Sequence, residues 1–169
     1  MDGFRALTPF LSPNGERLYF SSNRPGGEGG LDLWYVKITQ SGQTGKPVNL
    51  GNRINTSGDE FAPFYHEMSQ TLFYSSDGHI GFGGQDIFFA ENQQLRFVNT
   101  TNLGLPINSA QNDTYFIVDQ IDGVYYFSSN RLGVNYAKNP TCCNDLFKAY
   151  LPVLEPPTRF ESLTDLNKK

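Results

Sequence analysis

Leu18-Tyr19-Phe20-Ser21-Ser22-Asn23 returns as Leu72-Phe73-Tyr74-Ser75-Ser76-Asp77 and again as Tyr125-Tyr126-Phe127-Ser128-Ser129-Asn130, at intervals of 54 and then 53 residues. Downstream of each copy, a polar loop leads to an aspartate and an apolar run: Asp32-Leu33-Trp34-Tyr35, Asp86-Ile87-Phe88-Phe89 and Asp145-Leu146-Phe147. Between copies, Asn49-Leu50-Gly51 followed by Ile54-Asn55 matches Asn102-Leu103-Gly104 followed by Ile107-Asn108, and Pro9-Phe10 matches Pro63-Phe64. Landmarks that keep one register mark an internal repeat, and a period near 50 residues belongs to arrays of small sheets.

Each unit reads as four short strands, because runs of β-branched and aromatic residues alternate with Gly, Asn, Asp and Pro clusters. The first lies near Ala6 to Leu11, Phe61 to Tyr65 and Thr114 to Asp119, and turns at Pro13-Asn14-Gly15, Ser69-Gln70 and Asp122-Gly123. The second is apolar on both faces, as in Leu72-Phe73-Tyr74, which predicts a sheet packed between two others. The third covers Leu33 to Ile38, Ile87 to Ala90 and Leu146 to Tyr150; a weaker fourth, near Pro47 to Leu50 and Leu95 to Asn99, is expected outermost. This predicts an all-β chain of β-propeller blades, each of four antiparallel strands. About three blades are expected, at 6–51, 60–104 and 113–151, forming a partial propeller over 1–151, with a Pro-containing linker tail over 152–169. A blade flank left in water forfeits up to ~8 kcal/mol at ~25 cal/mol per Å², comparable with the roughly 5–15 kcal/mol net stability of a domain. Further blades, or self-association, are therefore expected to close the ring.

Composition agrees. The 169 residues suit one domain, and 14 Phe, 9 Tyr, 17 Gly and 10 Pro favour short strands with tight turns. Thirteen basic against 17 acidic residues leave no basic stripe, so nucleic acid is not an expected partner. No stretch of apolar residues is long enough for a membrane helix. Met1 to Ala6 lacks the apolar core of an export signal, so nothing in the sequence as written directs secretion. Cys142 and Cys143 are adjacent, which excludes the spacing of a zinc site or a dithiol motif. They read either as incidental loop thiols or as a vicinal disulfide.

Alternating strand direction collects the long loops on one face of the propeller, where recognition usually resides. Arg24, Arg53, His79, Arg131 and Tyr136 are expected to protrude there and are the candidate binding side chains. Asp32, Asp86 and Asp145 recur at one repeat position behind glycines such as Gly30 and Gly84. Recurrence in every unit points to a structural role, with each carboxylate accepting backbone N–H groups of its loop. The glycine pairs lack the Lys-Ser/Thr of a phosphate loop. Asp77, Asp86, Asn112 and Asp113 offer oxygens that suit calcium, but no EF-hand spacing is present, and neither a metal nor a cofactor is assigned. The only histidines, His66 and His79, lie near no Gly-x-Ser-x-Gly element, so no catalytic residues are named and a non-enzymatic protein is expected.

The unit Ser12-Pro13-Asn14-Gly15, Leu18-Tyr19-Phe20-Ser21-Ser22-Asn23-Arg24, Gly26-Gly27, Gly29-Gly30-Leu31-Asp32-Leu33-Trp34 resembles the WD-like β-propeller repeat of TolB-type proteins, over residues 6–150. It looks most like the propeller region of bacterial outer-membrane-associated proteins in which such repeats precede an OmpA-like domain; the Cys142-Cys143-Asn144-Asp145 loop and the proline-containing tail are similar too. The resemblance implies a periplasmic or outer-membrane-associated scaffold that docks other envelope proteins and reaches peptidoglycan only through an OmpA-like domain outside this sequence. The alternative is a propeller-type hydrolase, a glycosidase or a peptidase-associated unit, or a carbohydrate-binding module.

Overall fold

Strands that are apolar on both faces need a neighbouring sheet on each flank, and the chain supplies three antiparallel sheets in succession. The computed structural model describes residues 3–93, 96–119, 123–131 and 144–150. Blade 1 runs β1 (Ala6–Leu11), β2 (Arg17–Ser22), β3 (Asp32–Lys37) and β4 (Val48–Asn49) in that spatial order. Blade 2 repeats it with β5 (Glu60–His66), β6 (Thr71–Ser76), β7 (Asp86–Gln93) and β8 (Arg96–Asn102). Blade 3 contains β9 (Asp113–Val118), β10 (Val124–Ser129) and β11 (Asp145–Tyr150). No helix occurs among the described residues. The chain is all-β and folds as three blades of a partial propeller. The proposed tail, 152–169, lies outside the described residues.

Two strand expectations need correcting. The fourth strand of blade 2 is not weak: β8 spans seven residues and pairs along β7 from Asn102 opposite Phe88 to Arg96 opposite Gln93. Its Val98, Thr100 and Thr101 favour extended backbone, and Phe97 anchors it in the core. In blade 1 the corresponding strand shrinks to Val48–Asn49, directly after Pro47, which has no N–H to give to a ladder. The third strands also start one residue early, on the recurring aspartate itself.

Strands β1, β5 and β9 pack side by side at the inner edge, while β4 and β8 stand apart at the rim, so the blades are wedges. Each inner strand breaks its ladder register once and carries a left-handed residue at the break: Thr8 (φ 46°), Ala62 (φ 51°) and Tyr115 (φ 56°). Such a bulge bends a strand and sharpens its twist, and its cost for a side-chain-bearing residue is borne only where the surrounding fold fixes it. Thr8 Oγ1 accepts the Ala62 N–H at 3.1 Å, tying one bulge to the next.

The core lies between blades. Tyr19, Leu33 and Ile54 meet Tyr65, Leu72, Tyr74, Phe88, Ala90 and Phe97 at the first junction. Phe64, Phe73, Ile87 and Ile107 meet Phe116, Tyr125 and Phe127 at the second. Strand β6 is buried along its whole length, as its two-sided apolar sequence requires. A third cluster, Phe20, Trp34 and Val36, lies on the flank of blade 1 turned away from blade 2. These side chains are only 6–8% exposed, so all three are covered. Arg24 lies across Phe20, Trp34 and Phe4 and supplies part of that cover.

Connectors lock the sheets. Asn55 Oδ1 accepts Leu33 N at 2.7 Å and its Nδ2 donates to Leu33 O at 3.0 Å; Asn108 makes the same pair to Ile87 N and O, both at 2.8 Å. Each Nδ2 also donates to the asparagine at the end of the preceding strand, Asn49 or Asn102. The matched Asn-Leu-Gly and Ile-Asn landmarks are thus two halves of one hydrogen-bonded plug.

Candidate functional site: the loop face and a rim cleft

On the loop face, the recurring polar residues hold backbone. Asp32 Oδ2 accepts Glu28 N at 2.9 Å, and Asp86 Oδ2 accepts Phe82 N and, at 3.0 Å, Asn102 Nδ2. Each carboxylate fills the space where a side chain on its loop would go: a Cβ on Gly27 would lie 1.5 Å from Asp32 Oδ2, and one on Gly81 2.0 Å from Asp86 Oδ2. Burial pushes the Asp32 carboxyl above its ordinary pKa, and the loop N–H groups only partly offset this. Gly30 and Gly84 leave room for the next connector, where a Cβ would meet Asp59 Oδ1 at 2.2 Å and Asn112 Oδ1 at 2.4 Å. Those same oxygens accept Leu31 N and Gln85 N, while Asp59 N and Asn112 N donate to Asp77 and Asn130. Asp145 is the first residue of β11, and its loop, with Tyr136, Cys142 and Cys143, lies outside the described residues.

Glu60 and Asp113 are equivalent carboxylates at the starts of β5 and β9, both fully buried. Glu60 accepts Thr56 N, Thr56 Oγ1 and Ser76 Oγ; Asp113 accepts Ser109 N and Ser109 Oγ and pairs with Arg131 at 2.6 Å. Burial raises the Glu60 pKa despite these donors. Asp77, Asp86, Asn112 and Asp113, considered for calcium, each give one oxygen to a separate donor, from Asp59 N, Phe82 N, Gln85 N and the Arg131 guanidinium, while Asp86 Oδ1 is buried without a hydrogen-bond partner. Among the described residues, no cluster of three or more His, Cys, Asp or Glu side chains forms a metal site.

Arg24, His79 and Arg131 play one part in the three blades, although His79 stands one residue beyond the repeat position that Gly78 holds, each capping an aromatic pair on the second and third strands. Arg24 stacks on Phe20 and Trp34, His79 lies 5.0 Å from Phe88 and contacts Tyr74, and Arg131 covers Phe127 and Phe147. They protrude less than the loop pattern predicts. His79 Nε2 sits 2.9 Å from Ile54 O, and Arg131 donates to Ile107 O, the equivalent carbonyl, as well as to Pro106 O at 2.9 Å. Donation to Ile54 O places the His79 proton on Nε2. These two side chains staple a blade to the connector that precedes it.

Arg53 belongs to a different place. Where β4 and β8 diverge, a cleft of about 300 Å³ opens between blades 1 and 2, lined by Arg17, Tyr35, Val48 to Arg53, Arg96 and Phe97. Thr100 Oγ1 donates to Arg53 O at 2.7 Å and fixes that loop, while the Arg53 and Arg96 side chains are exposed. Arg17 lies 5.2 Å from the Tyr35 ring centre. Burial works against its charge, yet the phenol oxygens of Tyr19, Tyr35 and Tyr65 outweigh this and leave its pKa above the ordinary value. Asn49 Nδ2, in the cleft wall, is buried without a hydrogen-bond partner. Arg17 and Arg96 escape a reading of the repeat because they do not recur: Thr71 and Val124 stand where Arg17 stands in blade 1.

No family model matches the chain, and no curated protein matches it. Among solved structures, the fold is similar to an endo-arabinase from Bacteroides thetaiotaomicron VPI-5482, with 15% identity, 92% of this chain and 59% of that chain covered, and a TM-score of 0.57. It also matches a Mycobacterium tuberculosis puromycin-hydrolyzing peptidase at 14% identity over 74% of this chain and 19% of that chain, with a TM-score of 0.49. The chain therefore spans less than two thirds of the length of either structure.

Proposed function

We propose that the three blades are the recognition part of a larger propeller protein, and that their ligand is a carbohydrate bound in the rim cleft. The observation that carries this reading is the cleft itself: aromatic and aliphatic walls from Tyr35, Phe97 and Leu50, with amide and guanidinium donors from Asn52, Arg17, Arg53 and Arg96. A largely preformed hollow with a few converging donors is the usual build of a small-molecule site. The endo-arabinase likeness in fold is what brings a carbohydrate into consideration. Envelope localisation and docking of envelope proteins rest on the resemblance to TolB-type repeats, and an envelope glycan is compatible with that setting.

A hydrolase is the second reading, drawn from the same likeness. Glycoside cleavage needs two carboxyl groups facing one bond, roughly 5 to 9.5 Å apart. Asp32, Asp86, Glu60 and Asp113 instead accept donors from their own loops, which supports binding over turnover. Immobilised glycans probed with the purified protein, followed by assay for released reducing ends, separate the readings. Retention without release is expected. Turnover abolished by one Asp or Glu substitution establishes the hydrolase, and capture of an envelope protein with no glycan retained returns the argument to a protein scaffold.

A further inference from the structure

The rim cleft gathers Arg17, Arg53 and Arg96 in a chain whose formal net charge is −4, and none of its lining residues is acidic. The other arginines on the loop face are already engaged: Arg131 in an ion pair and two carbonyl contacts, Arg24 on three aromatic rings. Arg17 is braced by Tyr35, whereas the Arg53 and Arg96 guanidiniums have no carboxylate or carbonyl partner among the described residues. Like charges held around one hollow repel, and an anion placed between them removes that cost. Guanidinium forks match a planar carboxylate through paired N–H donors.

We propose that this cleft binds an acidic saccharide, with the carboxylate of a uronate unit held by Arg53 and Arg96. This inference rests on the carbohydrate reading above and names its chemical class. The hollow, about 300 Å³, is much larger than a single inorganic ion needs. Its remaining wall suits a hydroxylated ring: Phe97 and Leu50 supply apolar surface, and the exposed Asn52 amide a donor to hydroxyls. Because the blades diverge outward, the cleft opens at the rim and leaves room for the saccharide to continue beyond the bound unit.

Calorimetric titration of the full chain with a galacturonate trimer, an arabinose trimer, inorganic phosphate and an acidic peptide tests the assignment. The galacturonate trimer is expected to bind best, with affinity falling roughly tenfold for each guanidinium removed, about 1.4 kcal/mol. The R53E/R96E double variant, whose altered side chains are exposed and outside the inter-blade core, is expected to abolish that binding and keep the parental thermal midpoint. Unchanged galacturonate affinity in the double variant overturns the site. Phosphate or the acidic peptide binding as tightly as the trimer overturns the saccharide assignment. Arabinose-trimer binding that the double variant leaves intact keeps the carbohydrate reading and defeats this one, while no saccharide binding at all defeats both.

Discussion

Asn108→Ala isolates one inter-strand plug. The side chain is fully buried and makes three contacts, accepting Ile87 N at 2.8 Å and donating to Ile87 O at 2.8 Å and Asn102 Oδ1 at 2.7 Å. Two of the three partners keep another bond after truncation: Ile87 O still receives Leu103 N, and Asn102 Oδ1 still receives Gly104 N. The Ile87 N–H, on a residue with no exposure, is left alone. An orphaned buried donor costs roughly 1–3 kcal/mol, and loss of packing adds to it, so a cost of about 2–4 kcal/mol is expected. Asn108→Asp sharpens the test. It restores the acceptor for Ile87 N but sets a carboxylate oxygen against Ile87 O and Asn102 Oδ1, two acceptors. The folded state then favours the protonated acid, so the folded pKa lies above the unfolded value near ~3.9. Stability of this variant should therefore rise as pH falls from 7 toward 5, because the folded state takes up the proton first. Urea denaturation followed by tryptophan fluorescence at both pH values measures both substitutions. An alanine variant within ~0.5 kcal/mol of the parent, or an aspartate variant whose deficit does not shrink on acidification, refutes the plug.

Gly27→Ala should cost more than ~2 kcal/mol, because its Cβ would overlap the buried Asp32 carboxylate at 1.5 Å, whereas Gly45→Ala, whose nearest neighbour is 3.7 Å away, should stay within ~0.5 kcal/mol; thermal melts of the pair decide. Arg131→Ala leaves Asp113 buried without its cation and should cost roughly 3–5 kcal/mol, more than Arg24→Ala, which loses stacking but no ion pair; equal melting temperatures would count against the staple. Glu60 has its pKa raised by burial, so the folded state holds more protons than the unfolded one above the ordinary carboxylate range. Its contribution to stability therefore grows as pH falls from neutral toward ~4.3, and Glu60→Gln should remove that gain. His66, with its pKa lowered by burial, works in the opposite sense, so the quantity to read is the difference between parent and variant. Parallel pH curves would refute the assignment.

The fold was legible because its signal is redundant. An aromatic second strand with two serines returns at 54 and then 53 residues, an aspartate opens the third strand after each copy, six residues later in the third unit, and the sheets form where those marks fall. Strand β8 looks weak in the sequence because its threonines and arginine are polar, although backbone pairing and a single Phe97 anchor suffice to hold it. The roles of Asn55 and Asn108 were hidden: a sequence shows that an asparagine recurs, not that its amide faces another strand's backbone. Arg24, His79 and Arg131 read as protruding because cations in loops usually do, and only the packed structure brings aromatic faces beneath them. The rim cleft lay beyond sequence reasoning for a geometric reason. Arg17, Arg53 and Arg96 come from the start of one strand, a connector and the start of another, and they meet only because wedge-shaped blades part at the rim.

The asparagine plugs also shift the frame in which the protein assembles. Asn55 completes blade 1 and Asn108 completes blade 2, yet both lie in the linkers that lead onward to the next blade. A growing polypeptide thus cannot finish one blade until the first residues bound for its successor have emerged, so the unit of maturation is offset from the unit of the repeat. Shortened versions cut cleanly after β4 or β8 would lack the clasp for their last sheet, whereas versions extended by the six residues to Asn55 or Asn108 would carry it.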